Sequence, residues 1–72
     1  AGPLDRATAD IAVLGAFVAI GSTQGVRVHG GRMYREGTPM EALRQIVMVT
    51  LGQAANFGQV TAALKVLDEI EG

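Results

Sequence analysis

Two long charge-free stretches limit what this 72-residue chain can fold into more than any other feature. Residues 11–26 and 45–64 contain no Asp, Glu, Lys or Arg. A domain of this size buries only about 60% of the surface that its unfolded chain exposes. Because 49% of the residues are hydrophobic, one copy has more apolar surface than it can hide. We therefore expect the chain to pack against many copies of itself.

Signals for helix ends frame both stretches. The first helix is predicted over residues 4–24, with Gly25 as a C-terminal stop. The second helix is predicted over residues 39–70. Thr38 offers an N-cap hydroxyl and Glu41 follows it by three residues, which is the pattern of a capping box. No strong stop signal follows before the end of the sequence.

The segment between the helices, residues 26–35 (VRVHGGRMYR), is predicted to form a β-hairpin. Two glycines separate VRVH from RMYR, which is the spacing and residue type of a two-residue turn with positive φ. The predicted fold class is therefore mainly α: an antiparallel helical hairpin with a short two-stranded β-hairpin between the helices, packed in a helical filament.

Small residues recur every three or four positions in both predicted helices, a spacing that lets helix backbones approach closely. We expect them to form the contacts between subunits. The residues concerned are Ala12, Gly15, Ala16, Ala19, Ala54, Gly58 and Ala62.

The sequence offers little for catalysis or metal binding. It contains no Cys, and His29 is its only His. The acidic C-terminal residues lack the spacing of an EF-hand or zinc site, and the glycines match neither a Walker loop nor a dinucleotide fingerprint. We predict a non-enzymatic protein with no catalytic residue, no metal site and no cofactor.

Positive charge is concentrated at the predicted hairpin. Residues 26–37 carry three Arg and one Glu, a net charge of +2, which leaves −3 for the rest of the chain. Guanidinium groups bind phosphates, and a helical array would repeat the hairpin as a continuous basic lining. Such contacts are largely blind to base sequence. The predicted ligand is double-stranded DNA, and the predicted phosphate-binding residues are Arg27, Arg32 and Arg35, with His29 and Tyr34 as helpers.

A small chain that begins with Ala and has two apolar helices around a basic turn resembles the major virion protein of rod-shaped archaeal viruses of the clavavirus type. The resemblance covers the whole chain, is architectural, and rests on no diagnostic motif. It implies a capsid protein located in the virion, whose basic hairpin holds double-stranded DNA. The start at Ala is typical both of a mature product whose signal segment was removed and of an excised fragment.

Two alternatives stay open. One is a type IV secretion-like conjugative pilin in an extracellular pilus, whose basic loop faces lipid head groups. The charge-free stretch 45–64 is near the length needed to cross a bilayer, although its Gln and Asn residues favour a transient membrane association over a permanent span. The other alternative is a small dimeric DNA-binding module, which predicts a discrete oligomer instead of a filament.

Overall fold

A computed structural model describes residues 2–72 and shows four α-helices joined by short loops. The helices are α1 (Arg6–Ile20), α2 (Thr23–Arg35), α3 (Met40–Val49) and α4 (Phe57–Glu71). Within these residues there is no β-strand, and the single isolated bridge joins Leu51 to Ala55 in the loop before α4. The predicted helical hairpin with a β-hairpin tip is therefore wrong.

The segment predicted as a β-hairpin lies inside α2. Its helix begins where the Ser22 hydroxyl accepts a hydrogen bond from the Gly25 backbone N–H at 3.0 Å, as an N-cap does. Val26, Gly30 and Met33 follow at helical spacing and are all buried. The alternation of Val and Arg imitates a strand, but burial follows the helical period.

Gly30 is tolerated in the middle of α2 because it lies where α2 contacts two other helices. A Cβ at this position would lie 3.3 Å from Leu67 Cδ2 of α4 and about 4.0 Å from Leu14 Cδ1 of α1. Glycine inside a helix costs roughly 1 kcal/mol relative to Ala. The close packing of neighbouring side chains against Gly30 offsets this cost. The glycine pair thus serves helix packing and makes no turn.

The first predicted helix, 4–24, overlaps α1 but ends too late. The helix stops at Gly21, whose φ of 76° lies in the left-handed region that favours glycine. Asp5 begins α1 by accepting a hydrogen bond from the Thr8 N–H at 2.8 Å, and this bond holds the pKa of Asp5 below its ordinary value of 3.8.

The second predicted helix, 39–70, is divided into α3 and α4 by the loop 50–56. Gly52 in this loop has a positive φ of 78°, and Asn56 starts α4 with a capping box closed by Gln59. The capping box predicted at Thr38 is wrong, since α3 starts with no side-chain cap. No helix within residues 2–72 is long and apolar enough to cross a membrane.

All four helices contribute to one apolar core, and no polar or charged side chain among the described residues is buried in it. Leu14, Leu43, Val47 and Leu67 are fully covered. This core fixes the ends of the helices relative to one another, and the candidate sites described next lie at these ends. The buried core residues are Leu14, Val18, Val26, Met33, Met40, Leu43, Val47, Ala55, Val60, Ala63, Val66 and Leu67.

Candidate functional site: a cavity at the starts of α2 and α4

Two of the three arginines predicted to bind phosphate are paired with carboxylates. Arg27 Nη2 donates to Glu69 Oε1 of α4 at 2.7 Å. Arg32 donates to both oxygens of Asp10 in α1, at 2.8 and 3.2 Å, in the bidentate geometry that makes such pairs strong. The charge that looked available for a polyanion instead joins α2 to its neighbours.

Arg32 also belongs to a closed ring of four charges at the N-terminal end of α1 and the C-terminal end of α2. Glu36 accepts from Arg32 at 3.2 Å and from Arg6 at 3.3 Å, and Arg6 Nε lies 3.8 Å from Asp10 Oδ2. The hydrogen bond from Arg32 holds the pKa of the Asp10 carboxylate below its ordinary value of 3.8. The same bond raises the pKa of the Arg32 guanidinium.

The three other predicted DNA contacts share only part of a surface with these arginines. Arg35 has no carboxylate within 4.0 Å in the described part of the chain. His29 packs against the Phe17 ring with the ring centroids 5.0 Å apart, and Tyr34 is partly exposed, at 37%. At 100° per residue Arg27, Tyr34 and Arg35 of α2 fall within a sector of about 100°, whereas Arg32 and His29 lie outside it. The structure therefore brings only part of the predicted set to one face.

The residues predicted to pack between subunits fall into two groups. Ala12, Ala16, Ala54 and Gly58 are exposed, whereas Gly15, Ala19 and Ala62 are partly buried inside the single chain. Contacts between copies of the chain stay a prediction for all seven residues.

An apolar cavity of about 270 Å³ lies where α1 ends and where α2 and α4 begin. Its wall includes Phe17 and Val18 of α1, Val26 of α2, and Ala62 and Ala63 of α4. No charged side chain lines it. A mostly apolar concave site with a few polar groups is typical of small-molecule binding sites.

Of the four polar side chains that line the cavity, all but Thr23 accept a helix-capping hydrogen bond through their side-chain oxygen. Ser22 Oγ accepts from the Gly25 N–H at 3.0 Å. Asn56 Oδ1 accepts from the Gln59 N–H at 2.8 Å, and Gln59 Oε1 accepts from the Asn56 N–H at 2.8 Å. All three line the cavity, and we call Ser22, Asn56 and Gln59 the donor cluster.

The donor cluster has hydrogen-bond donors to spare. Because each amide oxygen must be the atom that accepts a backbone N–H, the other terminal atom of Asn56 and of Gln59 is an NH₂ group. Neither NH₂ group, nor the Ser22 O–H, has an acceptor among residues 2–72. The cavity is thus lined by apolar carbon, by the spare donors of the donor cluster and by the Thr23 hydroxyl, which can donate or accept.

Sequence reasoning misses the donor cluster. Ser22 has no evident base near it in the sequence that would make it a nucleophile, and Asn56 and Gln59 fit the polar stripe of one long helix. Asn56 and Gln59 also have the Asn-x-x-Gln spacing of a capping box. This spacing is the sequence signal that could have predicted the start of a helix at Asn56. The cavity itself depends on contacts among three helices, for which the sequence has no local signal.

No group of three or more metal-ligating side chains occurs in the part of the chain that the structure describes. Comparison with protein-family models, curated proteins and solved structures finds no match to this chain.

Proposed function

We propose that this protein binds a small carboxylic acid with an apolar body in the cavity at the starts of α2 and α4. The observation that carries the proposal is the donor cluster, in which each oxygen already accepts one backbone hydrogen bond and the two NH₂ groups and the O–H have no acceptor among residues 2–72. A carboxylate accepts hydrogen bonds and cannot donate them. The ligand's apolar part would lie against Phe17 and Ala62.

Electrostatics favour the same ligand class. The N-terminal ends of two helices face the cavity, and each N-terminus carries a positive partial charge from the aligned peptide dipoles. No lysine, arginine or carboxylate lines the site, so these dipoles are the main source of the electrostatic potential in the cavity. An anionic head group is therefore favoured over a cationic one.

The size of the cavity limits the ligand. At about 30 Å³ for each water-sized group, a volume of about 270 Å³ accommodates roughly nine non-hydrogen atoms. Benzoate is a suitable probe of this size and charge. At about 0.4 kcal/mol for each of its atoms, its binding free energy would be about 4 kcal/mol, which corresponds to a Kd of about 1 mM.

The site supports binding more than reaction. The Ser22 hydroxyl is held by the Gly25 N–H, and no His, Asp, Glu or Lys lines the cavity to take a proton from it. A nucleophilic serine needs such a base within hydrogen-bond reach. The absence of enzymatic activity stays a prediction that activity assays must test.

Packaging of double-stranded DNA in a virion also stays a prediction, and so does binding to lipid head groups. Both were based on a basic hairpin, which α2 replaces. Arg27 and Arg32 already pair with Glu69 and Asp10, at 2.7 and 2.8 Å, and these carboxylates offset the positive charge that would attract a phosphate. The cavity has no such competing carboxylate in its lining, and for this reason we favour the small carboxylate.

The test is a two-dimensional ¹H–¹⁵N NMR titration with three probes of similar size: benzoate, benzylammonium and toluene. We expect benzoate to shift the backbone amides of residues 22–26 and 56–63 at millimolar concentration. Toluene should bind more weakly, and benzylammonium should not bind. The proposal is refuted if benzoate leaves these amides unchanged, or if benzylammonium binds as tightly as benzoate.

A variant separates the donor cluster from the apolar wall. In Gln59→Glu a carboxylate oxygen still accepts the Asn56 N–H, so the capping box survives, but the NH₂ donor becomes a second negative oxygen. We expect benzoate binding to be lost while toluene binding is kept. Gln53→Glu, in the exposed loop, adds the same charge away from the cavity and should leave both unchanged. Equal weakening of benzoate binding by the two variants would argue against a contact at Gln59.

A further inference from the structure

A second cavity, of about 320 Å³, lies at the other end of α1. It opens between the start of α1, the end of α2 and one side of α3. It shares no lining residue with the cavity at the starts of α2 and α4. Unlike that cavity, it has charged side chains of both signs in its wall, and we call it the mixed cavity.

The inner wall of the mixed cavity is apolar and is fixed by the core. Met33 of α2 is only 4% exposed, and Ile46 of α3 packs against the same core. Ile11 of α1 also lines the mixed cavity and is 48% exposed. An apolar group placed there would cover Ile11 without any movement of the helices, and removal of this surface from water would favour its binding.

The rim of the mixed cavity has one fixed ion pair and one that can open. The Asp10 side chain is 17% exposed and accepts two hydrogen bonds from Arg32, at 2.8 and 3.2 Å. Arg6 and Glu36 are 69% and 48% exposed, and a single hydrogen bond of 3.3 Å joins them. Because an exposed pair of this kind contributes little to stability, a ligand can separate Arg6 from Glu36 at small cost.

Glu36 stays in place when this pair opens. Its Oε1 accepts from Arg32 at 3.2 Å, and only Oε2 contacts Arg6. Opening the pair therefore presents one anchored carboxylate oxygen and one guanidinium group to the mixed cavity. The closed ring of four charges to which both belong has no net charge.

We infer that the mixed cavity binds a zwitterionic α-amino acid with an apolar side chain. The ligand's carboxylate would accept hydrogen bonds from Arg6, and its ammonium group would donate to Glu36 Oε2. Each charge released by opening the pair would thus gain a new partner. A simple carboxylate would pair with Arg6 but be repelled by Glu36, and a simple amine would pair with Glu36 but be repelled by Arg6.

The helix dipoles favour the same orientation of the ligand. Arg6 is the first residue of α1, whose N-terminal end carries a positive partial charge. Glu36 is the C-cap of α2, whose C-terminal end carries a negative one. The carboxylate would therefore lie towards the start of α1 and the ammonium group towards the end of α2, with the apolar side chain against Met33 and Ile46.

The volume of the mixed cavity limits the side chain. At about 30 Å³ for each water-sized group, about 320 Å³ accommodates roughly eleven non-hydrogen atoms. L-leucine is slightly smaller than this and is a suitable probe. Three related compounds each lack one of its parts: 4-methylpentanoate lacks the ammonium group, 3-methylbutylamine lacks the carboxylate, and L-alanine lacks most of the side chain.

A two-dimensional ¹H–¹⁵N NMR titration with these four compounds tests the inference. We expect L-leucine to shift the backbone amides of residues 6–11 and 33–38 at millimolar concentration, and each related compound to bind about tenfold more weakly. The inference is independent of the benzoate site, since different amides report it. It is overturned if L-leucine leaves these amides unchanged, or if 4-methylpentanoate or 3-methylbutylamine binds as tightly as L-leucine.

Matched glutamate variants test the contact with the ammonium group. Glu36→Gln should weaken L-leucine binding about tenfold and should not weaken 4-methylpentanoate binding. Glu69→Gln breaks the exposed pair with Arg27, in which Glu69 is 46% exposed, away from the mixed cavity, and should leave L-leucine binding unchanged. Equal weakening of L-leucine binding by the two variants would contradict the contact at Glu36.

Arg6→Gln tests the other half of the site and keeps the inference falsifiable if Glu36→Gln does not fold. It should weaken the binding of L-leucine and 4-methylpentanoate about tenfold and leave 3-methylbutylamine binding unchanged. Circular dichroism checks that each variant is folded. L-leucine binding that is as tight in folded Arg6→Gln as in the unchanged chain would overturn the inference.

Discussion

Gly25 is the position where an added methyl group meets the strongest resistance. A Cβ built there would lie 2.2, 2.4 and 2.6 Å from Cδ1, Cγ and Cε1 of Phe17, so the whole ring must move. Gly25→Ala should gain up to about 1 kcal/mol of helix propensity and lose about 1–3 kcal/mol to overpacking. We expect a net loss of about 1–2 kcal/mol, which corresponds to a fall in Tm of about 5–15 °C for a domain of this size.

Thermal unfolding followed by circular dichroism measures this effect against a matched control. Gly15→Ala makes the same substitution inside α1, where the new Cβ would meet only Thr50 Cγ2 at an ordinary 3.8 Å. It should gain up to about 1 kcal/mol and raise Tm by about 4–8 °C. Opposite signs at the two glycines are the expected result.

A double-mutant cycle shows whether Phe17 is the cause. With the ring removed in Phe17→Ala, Gly25→Ala should become neutral or stabilising, and the coupling should exceed about 1 kcal/mol. An equal cost of Gly25→Ala in both backgrounds would refute the steric explanation, as would stabilisation by Gly25→Ala in the otherwise unchanged chain.

Three further changes test other parts of the structure. Asn56→Ala removes the cap of α4 and should lower the free energy of unfolding by about 1 kcal/mol, whereas Asn56→Asp keeps an acceptor and should cost little in urea denaturation. Gly21→Ala places a Cβ in the left-handed region, where φ is 76°, and should cost about 1–2 kcal/mol by the same measurement. The folded-state pKa of Asp10 lies below its ordinary value of 3.8 because Arg32 hydrogen-bonds the ionised form. The stabilisation is therefore fully present above that value and is lost as pH falls through the lower, folded pKa. Asp10→Asn should make the decline of urea midpoints between about pH 5 and pH 2 shallower, and an unchanged decline would contradict this role of the pair.

The position of α1 could be predicted to within a few residues, since an apolar run with a nearby glycine stop is a local pattern. The helical state of α2 could not be predicted in this way. Val26 and Val28 alternate with charged or polar residues around two glycines, which locally favours a hairpin. The deciding contact, Gly30 against Leu67, joins residues that are distant in the sequence.

The break between α3 and α4 is hidden by composition. Residues 45–64 carry no charge, so the run predicts one continuous helix, with Asn56 and Gln59 on its polar stripe. In the structure these two residues cap each other and begin a new helix. The three-residue spacing of Asn56 and Gln59 fits both a capping box and one polar face of a continuous helix. Only the turn at Gly52, which precedes them, distinguishes the two interpretations.

The interpretation of the arginines failed for an electrostatic reason. A count of charges along the chain indicates an excess of positive charge at residues 26–37. The carboxylates that compensate for this charge come from distant helices. Asp10 precedes this segment and Glu69 follows it by more than thirty residues. A local excess of positive charge is evidence for an anionic partner only when the folded chain does not itself supply that partner.

The four-charge ring of Arg6, Asp10, Arg32 and Glu36 should contribute more to the stability of the fold at high temperature than at 25 °C. Hydration of ionic groups becomes less favourable on heating, so bringing them together costs less at high temperature than at 25 °C. The ring would then tie the start of α1 to the end of α2 more firmly, relative to the apolar core, as the solution warms. Heat resistance in this chain should consequently decline in concentrated salt, which screens charges near the surface.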